Sequence, residues 1–247
     1  MDCRVQTDTV EGSGYASPMQ VELGRPWFDS ALERLEVRRG NRLLVIDPTV
    51  EEITALRSTV GNAGELTLVV QNRQLAEKLA ENQWPLVSVL AHETTGGETF
   101  GVHDSLLIAP RSGPLLLAEG YAQLARKNLR PGGRFVIDLP AENMVPNIRS
   151  AWHDLSWDEE RLHPLQGVTD VDLTDAMRAE GLRSVESALG SHLLHAPAPT
   201  ELAAGFADVL ELDDNEITEL GHAITRLRQG TGPIDALIHR TQVSGQR

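Results

Sequence analysis

The chain has a single cysteine, Cys3, so no disulfide can close within it. Lysine occurs only at Lys78 and Lys127, and aromatic residues make up 4% of the 247 positions. No uninterrupted apolar run approaches the roughly 20 residues that a membrane-spanning helix needs. The opening Met1-Asp2-Cys3-Arg4-Val5-Gln6 carries none of the apolar stretch that marks a secretory signal. Cations are also in deficit. Lys and Arg number 22 against 36 Asp and Glu, a net charge of −14, which disfavours tracking along nucleic-acid phosphates. These absences predict a cytoplasmic protein without a membrane span or a nucleic-acid partner. The local cluster Arg34, Arg38, Arg39 and Arg42 reads as cations complementing the end of a helix.

What the sequence does have is alternation. Residues 1–24 are polar and glycine-dotted and read as an N-terminal extension to a domain over 25–247. Pro26 suits the first turn of a helix, and Trp27, Ala31, Leu32 and Leu35 give that helix an apolar stripe over one sheet edge. Strands are predicted at 42–47, 66–70, 86–90, 105–109, 134–139, 182–186 and 233–243. Helical stripes lie between many of them: Val50, Ile53, Leu56 and Val60, then Leu75 and Leu79, then residues 113–128 and 170–180, and finally Ile217, Leu220, Ile224 and Leu227. The fold class this predicts is α/β: a doubly wound, mostly parallel seven-stranded sheet with helices on both faces.

The stretch Leu129-Arg130-Pro131-Gly132-Gly133-Arg134-Phe135-Val136-Ile137-Asp138 ends a helix with proline, reverses on two glycines and enters a β-branched run. It resembles the link before the fifth strand of class I S-adenosylmethionine-dependent methyltransferases. Ala179-Glu180-Gly181-Leu182-Arg183-Ser184-Val185 resembles the phrase that enters the sixth strand of that family. The resemblance covers roughly residues 26–243 and implies a Rossmann-like methyltransferase fold with an antiparallel last strand.

Ligands of such sheets bind at the carboxyl ends of the strands. There the sequence departs from the family. In the family a glycine-rich loop after the first strand cradles the cofactor, but here Asp47-Pro48-Thr49-Val50-Glu51-Glu52 follows, with no glycine before Gly61. Proline and β-branched residues disfavour a tight glycine-like turn. Asp47 and Thr49 are either ligand acceptors or helix-capping residues, and Thr49 with Glu52 matches a capping box. After the second strand Gln71 and Asn72 stand where the family carries an acid for the ribose hydroxyls, and they also suit a turn and cap. After the third, Glu93 is the carboxylate nearest to the family's adenine contact. His92 with Glu93 and His103 with Asp104 match no zinc spacing, so no metal is expected. Beyond the fifth strand Trp152, His153 and Trp157 are candidates for an acceptor pocket, or packing residues over the sheet end. The pair His192 and His195 reads as the solvent side of a strand end or turn. Residues 201–221 hold seven acids and no Lys or Arg, as expected of a solvated helical face or an acidic docking surface.

A chain that keeps the fold's punctuation and departs at two cofactor loops reads as a non-catalytic partner or scaffold subunit, a pseudoenzyme bound to a protein partner or to its own copy. On that reading no cofactor is held. The alternative is an active enzyme using S-adenosylmethionine through an atypical loop on a small molecule or protein, with a pocket bounded by Asp47, Gln71, Glu93 and Trp152.

Overall fold

The computed structural model describes residues 18–110, 116–165 and 167–247. Its seven strands form one sheet in the order β3-β2-β1-β4-β5-β7-β6. They are β1 (Arg42–Ile46), β2 (Glu65–Val70), β3 (Val87–Ala91), β4 (His103–Ile108), β5 (Leu129–Pro140), β6 (Arg183–Ala196) and β7 (Ile234–Gln246). β1 to β5 run parallel to one another, and β7 runs antiparallel to both β5 and β6. The helices are α1 (Pro18–Leu35), α2 (Val50–Val60), α3 (Arg73–Ala80), α4 (Ala118–Asn128), α5 (Pro146–Asp154), α6 (Asp170–Ala179), α7 (Pro199–Ala204), α8 (Ala207–Leu210) and α9 (Asp214–Arg228), with a 3-10 helix at Glu159–Leu165.

Three apolar clusters hold these layers. On one face Leu43, Val45, Leu66 and Leu68 pack with Ala31, Leu35, Ile53 and Leu56 of α1 and α2. On the other, Leu44, Ile46, Leu106 and Ile137 pack with Tyr121 and Leu124 of α4 and with Leu173 and Met177 of α6. Strands buried on both sides have no polar face to alternate, so they read as continuous apolar runs. The third cluster lies where β6 and β7 outrun the parallel strands: Pro140 ends β5 opposite Arg240, His239 still bonds the chain beyond β5 at Ala141 and Met144, and Ile234 to Ile238 continue paired with β6. Leu194, Ala236 and Ile238 of this extension are covered by Trp27, Ile148, Trp152, Leu202, Leu220 and Ile224.

Several sequence expectations change. α1 begins at Pro18, so Pro26 lies inside the helix rather than in its first turn. α1 packs on β4, β5, β7 and β6 rather than on one sheet edge. The helix expected over 113–128 starts at Ala118, and residues 111–115 lie outside the described part, as do residues 1–17. Pro131-Gly132-Gly133 does not leave the sheet. His103 pairs with Leu129 and Ser105 with Arg134, two steps along β4 against five along β5, so the three residues form a bulge inside β5. Gly132 takes a φ of +77° there, a conformation open to glycine at no steric cost. Gly181 ends α6 as expected, with Leu182 N–H donating to the Met177 carbonyl.

Candidate functional site

The carboxyl edge of the sheet places the tips of β1, β2 and β3 side by side, so Asp47, Gln71, Asn72 and Glu93 share one rim. Asp47 is buried and has a left-handed φ of +58°. The turn expected to be disfavoured after the first strand is therefore made without glycine, by a residue type that tolerates this region. Its N–H donates to the Val69 carbonyl at 2.8 Å, which ties the β1 tip to β2.

Two residues later the chain is already helical. Thr49 caps α2: its Oγ1 accepts from Glu52 N–H at 3.3 Å, and the Glu52 carboxylate accepts from Thr49 N–H at 2.9 Å. This is the reciprocal capping box that the Thr-x-x-Glu spacing predicts. Glu51 and Glu52 put two acids in the first turn, where they complement the helix dipole. Asn72 does the same work for α3, its Oδ1 accepting from Leu75 N–H at 2.9 Å. Gln71 is half-buried, and Glu93 is exposed beyond the edge strand β3. The loop after it is held by Glu98, which accepts from Thr95 N–H at 2.7 Å and from Gly96 N–H at 2.9 Å. Burial opposes ionisation of Glu98, but these hydrogen bonds prevail and its carboxyl titrates below the ordinary range.

The other candidates stand elsewhere. Trp152 and Trp157 meet edge to face at 4.8 Å between ring centroids, within or against the third cluster. Trp152 is fully buried and its Nε1 donates to the Asp158 carbonyl at 2.9 Å. It has no face left for a pocket, and β4 and β5 separate its cluster from the β1–β3 tips. His153 is exposed beside Glu159, with Nδ1 at 3.2 Å from the carboxylate. Arg161 sits 5.5 Å over the Trp152 ring and reaches both Glu216 oxygens, at 2.7 and 3.1 Å. That mutual hydrogen bonding holds the Glu216 carboxyl low and the Arg161 guanidinium high. The acidic 201–221 segment thus receives a cation from outside itself.

Two features of this edge carried no local sequence signal. Asp138 near the end of β5 is buried against Arg240 of β7: Nε to Oδ1 is 3.0 Å, and Arg240 also donates to the Asp138 carbonyl at 2.9 Å. The Arg240 guanidinium lies 5.9 Å from the Trp27 ring centroid. Above β5, Gly167 lies against the chain so closely that a Cβ would collide with the Pro140 carbonyl oxygen. Only a residue without a side chain fits, so backbone fills the space over the β5 tip. His103, by contrast, sits at the opposite, amino edge of the sheet, buried with Nε2 at 3.2 Å from Thr67 Oγ1. Burial lowers its pKa. Among the described residues no three His, Cys, Asp or Glu side chains gather as a metal site, and no helix is long and apolar enough to cross a membrane.

No family model and no curated protein matches the sequence. Solved structures match the fold. The YcgJ protein of Bacillus subtilis superposes with a TM-score of 0.58 at 15% identity, over 89% of this chain and 97% of that one. A SAM-dependent O-methyltransferase of Thermotoga maritima gives 0.50 at 12% identity, over 90% of this chain and 65% of that one. The [4+2]-cyclase SpnF gives 0.50 at 15%, over 90% and 80%. The chain has the class I methyltransferase fold, with its seven-stranded mixed sheet. The cyclase among its neighbours shows that this fold is not tied to one reaction.

Proposed function

We infer that this chain is a non-catalytic member of the methyltransferase fold, a cytoplasmic partner subunit that does not hold S-adenosylmethionine in the manner of the fold's enzymes. The capping box at α2 carries the reading. A cofactor cradled after β1 needs free backbone donors and room for close approach. Here Thr49 takes the Glu52 N–H, Glu52 takes the Thr49 N–H, and two first-turn carboxylates oppose the carboxylate of the ligand's amino-acid end. Asn72 supplies its oxygen to α3 instead of a ribose, and Glu93 is exposed at the rim. The residues present do not fit the cofactor.

The alternative, an active S-adenosylmethionine-dependent enzyme, draws support from the left-handed turn at Asp47, which supplies the backbone shape without the glycine. Calorimetric titration with S-adenosylmethionine and S-adenosylhomocysteine separates the two. The expected result is no heat and no thermal shift at millimolar ligand. Micromolar binding, about 8 kcal/mol, overturns the partner-subunit reading and makes Asp47 and Gln71 the next residues to replace.

A further inference from the structure

The extension of β6 and β7 beyond β5 has one face in the third cluster and the other in solvent. Successive side chains of a strand alternate, so the residues between the buried ones point away from that cluster. They pair across the strands as Ser191 with His239, Leu193 with Leu237 and His195 with Asp235, with Leu189 one row below. Leu189 is 69% exposed, Leu193 59% and Leu237 38%. α6 covers this face only at its lower end. Ser187 Oγ donates to Asp170 in the first turn of α6 at 3.1 Å, and Val243 opposite Ser187 is fully buried. Val171, the next residue of α6, is 60% exposed.

Four large apolar side chains therefore stand in solvent around one stretch of sheet, which monomeric surfaces seldom present without a use. The polar rows between them are satisfied in place: Ser191 Oγ lies 2.8 Å from His239 Nδ1, and His195 Nδ1 lies 2.8 Å from Asp235. The charge beside them has one sign. Asp170, Asp172 and Asp235 are exposed, and neither residues 189–196, nor 234–239, nor the first turn of α6 contains Lys or Arg.

We propose, resting on the partner-subunit reading, that this face docks a cationic amphipathic segment of another protein. Its apolar stripe lies on Leu189, Leu193 and Leu237, and its lysines or arginines meet Asp170, Asp172 and Asp235. A second copy fits worse: it sets the same aspartates together in a chain of net charge −14, and like charges across an interface cost affinity. The segment 1–17 fits worse too, with Asp2, Asp8 and Glu11 against a single Arg4.

The test uses the full chain and a fluorescein-labelled 18-residue helix of leucine and lysine, its leucines on one face, beside a leucine–glutamate counterpart. Anisotropy should show binding of the lysine peptide alone. Leu193→Ser with Leu237→Ser should weaken it at least tenfold, whereas Leu227→Ser, exposed on α9, leaves it unchanged. Replacing Asp170, Asp172 and Asp235 with Asn should flatten its salt dependence. Four results overturn the proposal: equal binding by the double serine variant, preference for the glutamate peptide, a dimer in sedimentation that the double variant dissolves, or a tenfold gain on deleting residues 1–17. The cofactor titration is independent of all of these. If S-adenosylmethionine binds while the peptide response persists, the partner-subunit reading falls and the docking face stands. If neither ligand binds, only the docking face falls.

Discussion

The two halves of the sheet's carboxyl edge solve the same problem by different means. Beyond β1 and β2 the helix N-termini are capped locally. Thr49 bonds Glu52 and Asn72 bonds Leu75, each three residues apart. At β5 and β7 polar groups are satisfied across the whole chain. Arg240 reaches Asp138 over 102 residues, and Gln242 Nε2 reaches the Trp27 carbonyl at 2.6 Å over 215. The first kind of bond leaves its helix free to form early and costs little when lost. The second is available only once α1, β5 and β7 have assembled, in a setting from which water is excluded. The same edge therefore has a cheap half and an expensive half, and both halves spend their donors on the fold.

The largest test of this contrast is Asp138→Ala. Removing one partner leaves the buried Arg240 charge without its carboxylate, which should cost about 3–5 kcal/mol in urea unfolding. A loss under about 1 kcal/mol would mean that the pair is no more than another surface contact. Thr49→Ala should cost far less, about 0.5–2 kcal/mol, the usual worth of a helix cap. Equal losses at the two sites would erase the distinction between the halves.

A smaller effect lies at the amino edge. Burial lowers the pKa of His103 in the fold, so as pH falls the unfolded chain takes up the proton first. The stability this contributes is complete above the unfolded value of about 6.5 and declines as pH falls below it. Glu98 and Glu216 titrate below their ordinary 4.5, so their contributions are lost only at more acid pH. Unfolding measured at pH 7.5 and at pH 5.5 should show the decline, and His103→Gln should flatten it. An unchanged slope in that variant would show that His103 does not carry the effect.

Much of the fold was legible because its signals are local. Short apolar runs marked β1, β2, β4 and β5, the Thr-x-x-Glu spacing marked the α2 cap, and Gly181 marked the end of α6. Helix boundaries were less legible: Pro26 looks like a first-turn residue, yet α1 starts at Pro18. Of the candidate site residues, Asp47, Gln71, Asn72 and Glu93 do share a rim, since the strand order follows from the fold. Trp152 could not be placed from sequence, because an aromatic residue near a strand end suits a pocket wall or a core equally well. The bulge at Pro131-Gly132-Gly133 was visible as a reversal but not as part of a strand, since only the register against β4 defines it.

The sequence by itself determined the alternation of strands and helices, the caps, and the absence of a glycine loop after β1. These depend on side chains a few positions apart, whose preferences act before any tertiary contact exists. Only the tertiary structure decided that Asp138 meets Arg240, that Trp152 is core, that Gly167 closes over Pro140, and that Leu189, Leu193 and Leu237 gather on an open face. Each of these joins positions distant in the chain, and no local pattern encodes which residues the assembled sheet brings within reach.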